Sequence, residues 1–175
     1  VGIDGYSSRT VEQTGTDSDC DSGKPKYYAW YELYPKPGRT ISTITVHPGD
    51  VMSASVTYAH GKFTITTTDT TTGNSFTTSK PVAGAKRNSA EWIAEANATH
   101  LTNFGTVSFG QALTEVADSC EVGVNGAAPA PLTANPAVLK VHAIKMEDKS
   151  GTLDAAPGAL STDGTSFMVT WYAAD

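Results

Sequence analysis

Two glutamates four residues apart, Glu91 and Glu95 in Ser89-Ala90-Glu91-Trp92-Ile93-Ala94-Glu95, are the side chains of this 175-residue chain best suited to acid–base chemistry. A carboxylate can take a proton from water and a carboxyl can give one back, so paired acids invite a hydrolytic reading. Alternation on a strand over Ala90–Ala96 predicts Glu91, Ile93 and Glu95 on one side, with Trp92 and Ala94 on the other. Four residues at roughly 3.4 Å each then separate the two carboxylates by about 13 Å. Glycosidase pairs stand roughly 5–9.5 Å apart, so a glycosidase would have to match Glu95 with an acid on another strand, such as Glu32.

Glu32 lies in Tyr27-Tyr28-Ala29-Trp30-Tyr31-Glu32-Leu33-Tyr34-Pro35. Here alternation predicts Tyr28, Trp30, Glu32 and Tyr34 on one face and Tyr27, Ala29, Tyr31 and Leu33 on the other. Three aromatics around a carboxylate suit a cleft wall, because a buried Glu and a desolvated Trp or Tyr each need a polar partner. An aromatic strand over a partly solvated core reads the same way, and so does a sugar-binding platform. A third candidate is Gln13, in Val11-Glu12-Gln13-Thr14-Gly15. It cannot be a base, but its amide NH2 can donate to a developing oxyanion while its carbonyl accepts from water.

Other chemistries find little support. His47, His60, His100 and His142 are scattered, with no HxH, HExxH or calcium-loop spacing, so no metal or cofactor is expected. Asp17, Asp19 and Asp21 read as a solvated turn. There is no G-x-S-x-G elbow. Cys20 and Cys120 lie in Asp/Ser-rich stretches expected to be loops; a Cys20–Cys120 disulfide and two free thiols both remain open.

The elements that must position these residues are strands. Ile41–His47, Val51–Tyr58 and Lys62–Thr68 are β-branched and mostly alternating, with turn signals Pro48-Gly49-Asp50 and His60-Gly61 between them. Further strands are expected at Tyr27–Tyr34, Ser75–Ser79, Ala90–Ala96, Gly105–Phe109, Ala112–Val116, Val138–Lys145 and Ser166–Trp171. Many short strands without a helix predict an all-β, antiparallel β-sandwich. Gly123 to Pro136 reads as a long surface loop, and Asn97-Ala98-Thr99 fits a glycosylation sequon.

Charged residues are 17% of the chain, and 12 Lys+Arg against 18 Asp+Glu leave a net charge of -6. That disfavours nucleic acid as a partner, since binding it needs a basic footprint. No run approaches the roughly 18 apolar residues of a membrane span. No basic segment followed by an apolar stretch opens the chain, which reads as a processed, soluble form with no membrane partner.

Taken in order, Val1-Gly2-Ile3-Asp4-Gly5, the Gln13-Thr14-Gly15 segment, Trp30-Tyr31-Glu32, Ala90-Glu91-Trp92-Ile93-Ala94-Glu95 and Asn103-Phe104-Gly105-Thr106-Val107 resemble the motif set of the glutamic peptidases, the eqolisin family (peptidase family G1). The resemblance implies a secreted bacterial or fungal acid endopeptidase on a concanavalin A-like β-sandwich, acting on unfolded polypeptide. By it, Gln13 and Glu95 match the catalytic pair, and Glu91 is the competitor of Glu95. Asp4, Asp17, Tyr28, Trp30, Glu32, Tyr34 and Glu91 match supporting or cleft positions. It implies general-base catalysis by glutamate, for which an ordinary Glu, titrating near about 4.3, is suited in acid. The alternative is a carbohydrate-active or carbohydrate-binding sandwich.

The chain departs from the family at position 33, where Leu stands for the usual Trp. The family also carries a few tens of residues ahead of Val-Gly-Ile-Asp-Gly. Residues 1–175 are therefore expected to form a single peptidase domain lacking those strands; an N-terminal light chain of the same precursor as a partner and a truncation both remain open.

Overall fold

The structure, a computed structural model, describes residues 1–96, 101–110, 119–134 and 136–173. The sequon at 97–99 and the strand expected at 112–116 lie outside them. The described chain holds 14 strands, all of whose pairings are antiparallel. No helix among the described residues is long and apolar enough to cross a membrane. The chain divides into two compact units, 1–92 and 93–175.

In the first unit, β1 (Gly2–Ile3), β2 (Val11–Asp21), β3 (Lys24–Tyr34), β4 (Arg39–Thr40) and β8 (Ala90–Glu91) form a five-stranded sheet in the order β4-β3-β2-β1-β8. Its spine is the β2–β3 hairpin, in register from Val11 opposite Tyr34 to Asp21 opposite Lys24. Ser22 and Gly23 close it with φ of 53° and 78°, the left-handed pair that lets a two-residue loop follow the strands' twist. A second sheet, β5 (Met52–Ala59), β6 (Lys62–Asp69) and β7 (Ser75–Lys80), is a meander.

These two sheets face each other over an apolar layer. Leu33, Phe63 and Ile65 are buried together with Ile3, Tyr31 and Val56 around them; Ala29, Ile41 and Ile44 form a second cluster with Met52 and Phe76. Each fully buried Phe, Leu or Ile contributes about 1.5–3 kcal/mol of transfer free energy. One polar link crosses the layer: the Thr14 hydroxyl donates to the Trp30 carbonyl at 2.6 Å and accepts from the Thr67 hydroxyl at 2.6 Å.

In the second unit, β9 (Thr106–Phe109), β12 (Met146–Glu147), β13 (Leu153–Pro157) and β14 (Phe167–Trp171) pair in the order β12-β13-β14-β9, and β10 (Glu121–Val122) pairs with β11 (Ala130–Pro131). Ala155 and Val169 are buried, and the Phe109 and Phe167 rings stack at 5.1 Å.

Four expectations need correction. Residues 41–47 are not a strand: Ile41 and Ile44 reach the core at a spacing of three, through a turn in which the Ile44 N–H donates to the Ile41 carbonyl at 3.3 Å. Residues 139–145 are irregular too, with Val141 and Ile144 exposed; apolar alternation makes a strand only where a neighbour accepts its ladder. The strand expected over 90–96 ends at Glu91. Cys20 lies within β2 rather than in a loop; it and Cys120 are free thiols, Cys20 exposed and Cys120 buried. Burial raises the Cys120 thiol to about 11, so it is inert rather than nucleophilic.

Candidate active site

Antiparallel register decides which side chains of the first sheet share a face. On β2 and β3 the pairs are Val11 with Tyr34, Gln13 with Glu32, Gly15 with Trp30 and Asp17 with Tyr28. Gly2 on β1 is paired with Gln13 on one side and with Glu91 on the other. Gln13, Glu32, Trp30, Tyr28, Tyr34, Asp17 and Glu91 thus stand on one face, opposite to the face that carries Ala29, Tyr31 and Leu33 into the core. The alternation read from 27–34 holds along the whole of β3.

At the centre of that face the Gln13 amide nitrogen donates to Glu32 at 2.9 Å. A carboxylate oxygen only accepts, so this contact orients the amide with its nitrogen toward β3. Among the described residues nothing else takes up the second hydrogen of the NH2 or the carbonyl. Trp30 lies over Gly15, where even a Cβ would meet the ring at 3.7 Å, in ordinary contact. The Trp30 indole nitrogen is buried with no partner among the described residues.

Further along the hairpin the Tyr28 hydroxyl lies 3.0 Å from Asp17 and 2.9 Å from Asp19. Burial, then hydrogen bonding to the two carboxylates, holds the Tyr28 phenol well above its usual range, so it stays a neutral donor. Asp17, Asp19 and Asp21, read from sequence as a solvated turn, instead lie within β2, paired with β3, and Asp17 and Asp19 stand within hydrogen-bond reach of the Tyr28 hydroxyl.

On the other side of Gln13, Glu91 reaches over the bare backbone of β1. A Cβ on Gly2 would lie 3.1 Å from the Gln13 Cβ and 3.2 Å from Glu91 Oε2, and one on Gly5 would lie 3.4 Å from that same oxygen. Gly2 is space for Glu91, while at Gly5 a Cβ would just touch it. Its two carboxyl oxygens are buried and have no partner among the described residues.

Asp4 serves the site from beneath. It is fully buried with φ of 73°, a left-handed conformation that Asp tolerates better than most residues. Its carboxylate accepts the backbone N–H groups of Lys86 at 2.7 Å, Arg87 at 2.8 Å and Asn88 at 3.0 Å, and the Thr10 hydroxyl at 3.4 Å. The segment that leads into β8 and Glu91 is thereby pinned to the end of β1.

Glu95 belongs to the second unit, on the irregular segment 92–96, and is exposed. With the strand ending at Glu91, the 13 Å spacing expected between Glu91 and Glu95 along one strand has no basis. What separates them is access: Glu95 meets solvent and the carboxyl oxygens of Glu91 do not. Among the described residues there is no group of three or more His, Cys, Asp or Glu arranged to hold a metal ion.

Sequence reasoning passed over Glu12. It is fully buried, with neither carboxyl oxygen partnered among the described residues. The signal was present: if Gln13 faces out, its neighbour must face in.

The family model of the Peptidase A4 family matches residues 1–151. No curated protein matches the chain. Among solved structures, aspergilloglutamic peptidase from Aspergillus niger is 26% identical with a TM-score of 0.75, over 98% of this chain and 95% of that one. Scytalido-glutamic peptidase with a transition state analog inhibitor is 21% identical with a TM-score of 0.67, over 98% of this chain and 81% of that one. With a match of this length to the family and the same β-sandwich architecture, the chain belongs to the Peptidase A4 family and is homologous to the glutamic peptidases.

Proposed function

We propose that this chain is a secreted acid endopeptidase that hydrolyses unfolded polypeptide with Gln13 and Glu95. The observation that carries the reading is the Gln13–Glu32 hydrogen bond on the open face of the first sheet. It holds an amide ready, with one N–H and one carbonyl unused, in a chain of a peptidase family.

In this mechanism Glu95 takes a proton from water as the resulting hydroxide adds to the scissile carbonyl carbon. The second Gln13 N–H donates to the tetrahedral oxyanion. Collapse of the adduct breaks the C–N bond, and Glu95 returns its proton to the leaving amine. Glu32 keeps the amide from rotating, and Trp30 with Tyr34 offers apolar surface to the substrate.

Denatured casein incubated near pH 4, with a polysaccharide panel beside it, tests the class of reaction. Pepstatin-resistant proteolysis is expected; sugar release or binding without proteolysis overturns the reading. Glu95→Gln keeps the shape but cannot take the proton, so hydrolysis should vanish at every acid pH. Glu91→Gln should retain measurable turnover, because its carboxyl oxygens are shut away from water. The reverse pattern would move the base to Glu91.

A further inference from the structure

Glu12 is a carboxyl group placed where an apolar side chain would be expected. On β2 it stands in register between Ile3 of β1 and Leu33 of β3, and both of those pack with Phe63 and Ile65 of the facing sheet. It is 0% exposed, and neither of its oxygens has a hydrogen-bond partner among the described residues. A neutral carboxyl can be tolerated in such a place, but an ionised one without partners costs far more.

The groups around it make ionisation harder. Asp4, at the end of β1, accepts three backbone N–H groups with its side-chain oxygens. Glu91 approaches from β8 with its own unpartnered oxygens. The Thr10 hydroxyl donates to Asp4 at 3.4 Å and also stands toward Glu12, where it eases ionisation without outweighing burial. Arg87 is the cation of this neighbourhood, but its guanidinium lies over the Tyr58 ring at 4.3 Å. On the facing sheet Asp69 is also buried, with its carboxylate taken up by the Thr72 hydroxyl and the N–H groups of Thr71 and Thr72.

We propose that Glu12 ties the integrity of the first sheet, and through the shared strand the placement of Gln13, to acid solution: the protonated acid fits between the sheets and the carboxylate does not. The expected titration agrees. Burial first, then the charge of Asp4, raise Glu12 from 4.5 to about 7; the Thr10 hydroxyl opposes them, the charge of Glu91 adds a smaller push upward, and Arg87 a still smaller one downward. A raised folded-state value means that stability is complete below about 4.5, declines as pH rises above it, and has lost the whole contribution once pH passes about 7. The change in the folding equilibrium is about 300-fold. The protein would thus be assembled in acid and loosened at neutrality by a residue next to the proposed catalytic glutamine.

Urea unfolding of the full chain, followed by tryptophan fluorescence between pH 4 and pH 8, tests this without substrate. Glu12→Gln keeps the shape and cannot ionise; Glu12→Leu matches the apolar surroundings. Both should remove a pH dependence of about 300-fold in the unfolding constant that the unsubstituted protein shows over that range. Superimposable pH dependences in all three proteins would overturn the proposal. So would two variants that fail to fold at pH 4, since the carboxyl would then be needed for itself. The Glu12 side-chain carboxyl carbon, followed by NMR, should titrate near 7; a midpoint near 4.5 overturns it equally. The link to Gln13 rests on the peptidase reading: casein hydrolysis by Glu12→Gln should persist to higher pH. Absence of hydrolysis in the unsubstituted protein at any pH would count against that reading and leave the unfolding result standing.

Discussion

The two faces of the first sheet treat polar side chains in opposite ways. On the outer face, Gln13, Glu32, Tyr28, Asp17 and Asp19 are joined by hydrogen bonds of 2.9–3.0 Å. On the inner face, one residue away, Glu12 has no partner among the described residues, and the hydroxyls of Thr14 and Thr67 bridge two apolar clusters. The difference teaches where chemistry can be placed. Apart from Glu91 and the Trp30 indole nitrogen, which are buried, outer polar groups can be exchanged for water, so a substitution there should alter turnover and leave stability nearly intact. Inner ones cannot, so substitution there should alter stability and leave the turnover of the folded molecule nearly intact.

The largest test of that division is Phe63→Ala, which empties the centre of the inner layer. It should cost about 3–5 kcal/mol of stability, read as a lower urea midpoint at pH 4, with kcat/KM per folded molecule unchanged. A large drop in kcat/KM among folded molecules would break the comparison. Gln13→Ala is its counterpart outside. Losing an oxyanion donor lowers kcat by roughly 10²–10³, about 2.7–4 kcal/mol, while the urea midpoint stays put. Near-normal turnover would remove Gln13 from the mechanism.

Thr14→Val strips the hydroxyl that links the sheets and takes from the Thr67 hydroxyl its partner across the layer. A loss of about 1–3 kcal/mol is expected, again without effect on kcat/KM. Glu32→Gln should be the mildest. An amide can still accept from Gln13 but forms a weaker bond than a carboxylate, so kcat should fall about tenfold, near 1.4 kcal/mol, with KM and the urea midpoint little changed. A rise in KM with kcat unchanged would make Glu32 a substrate contact rather than a group that orients Gln13.

Legibility from sequence followed hydrogen-bonding partners. Residues 27–34 and the β5–β6–β7 meander could be read because each strand has its neighbour next in the chain, joined by a turn the sequence announces. Residues 41–47 and 138–145 carry similar residues but have no neighbouring strand to pair with among the described residues; the first forms a turn that buries Ile41 and Ile44 and the second is irregular. The same rule shortens the segment around the two glutamates: Ala90 and Glu91 are held by β1, and the pairing stops there. β13 was not foreseen because Leu153-Asp154-Ala155-Ala156-Pro157 has little β propensity of its own and is a strand through its pairing with β14.

By itself, the sequence determined the all-β class, the alternation of β3, the face that Glu32 shares with Tyr28, Trp30 and Tyr34, and the motifs that mark the family. All of these are short-range, since strand period and turn chemistry act within a few residues. Only the tertiary structure decided that Glu32 holds the amide of Gln13, that Asp4 pins residues 86–88, that Glu91 is closed off from water while Glu95 is open to it, and that Glu12 is enclosed without a partner. Those outcomes depend on register between strands far apart in the chain, and register is set by how whole faces pack rather than by any one segment's preference.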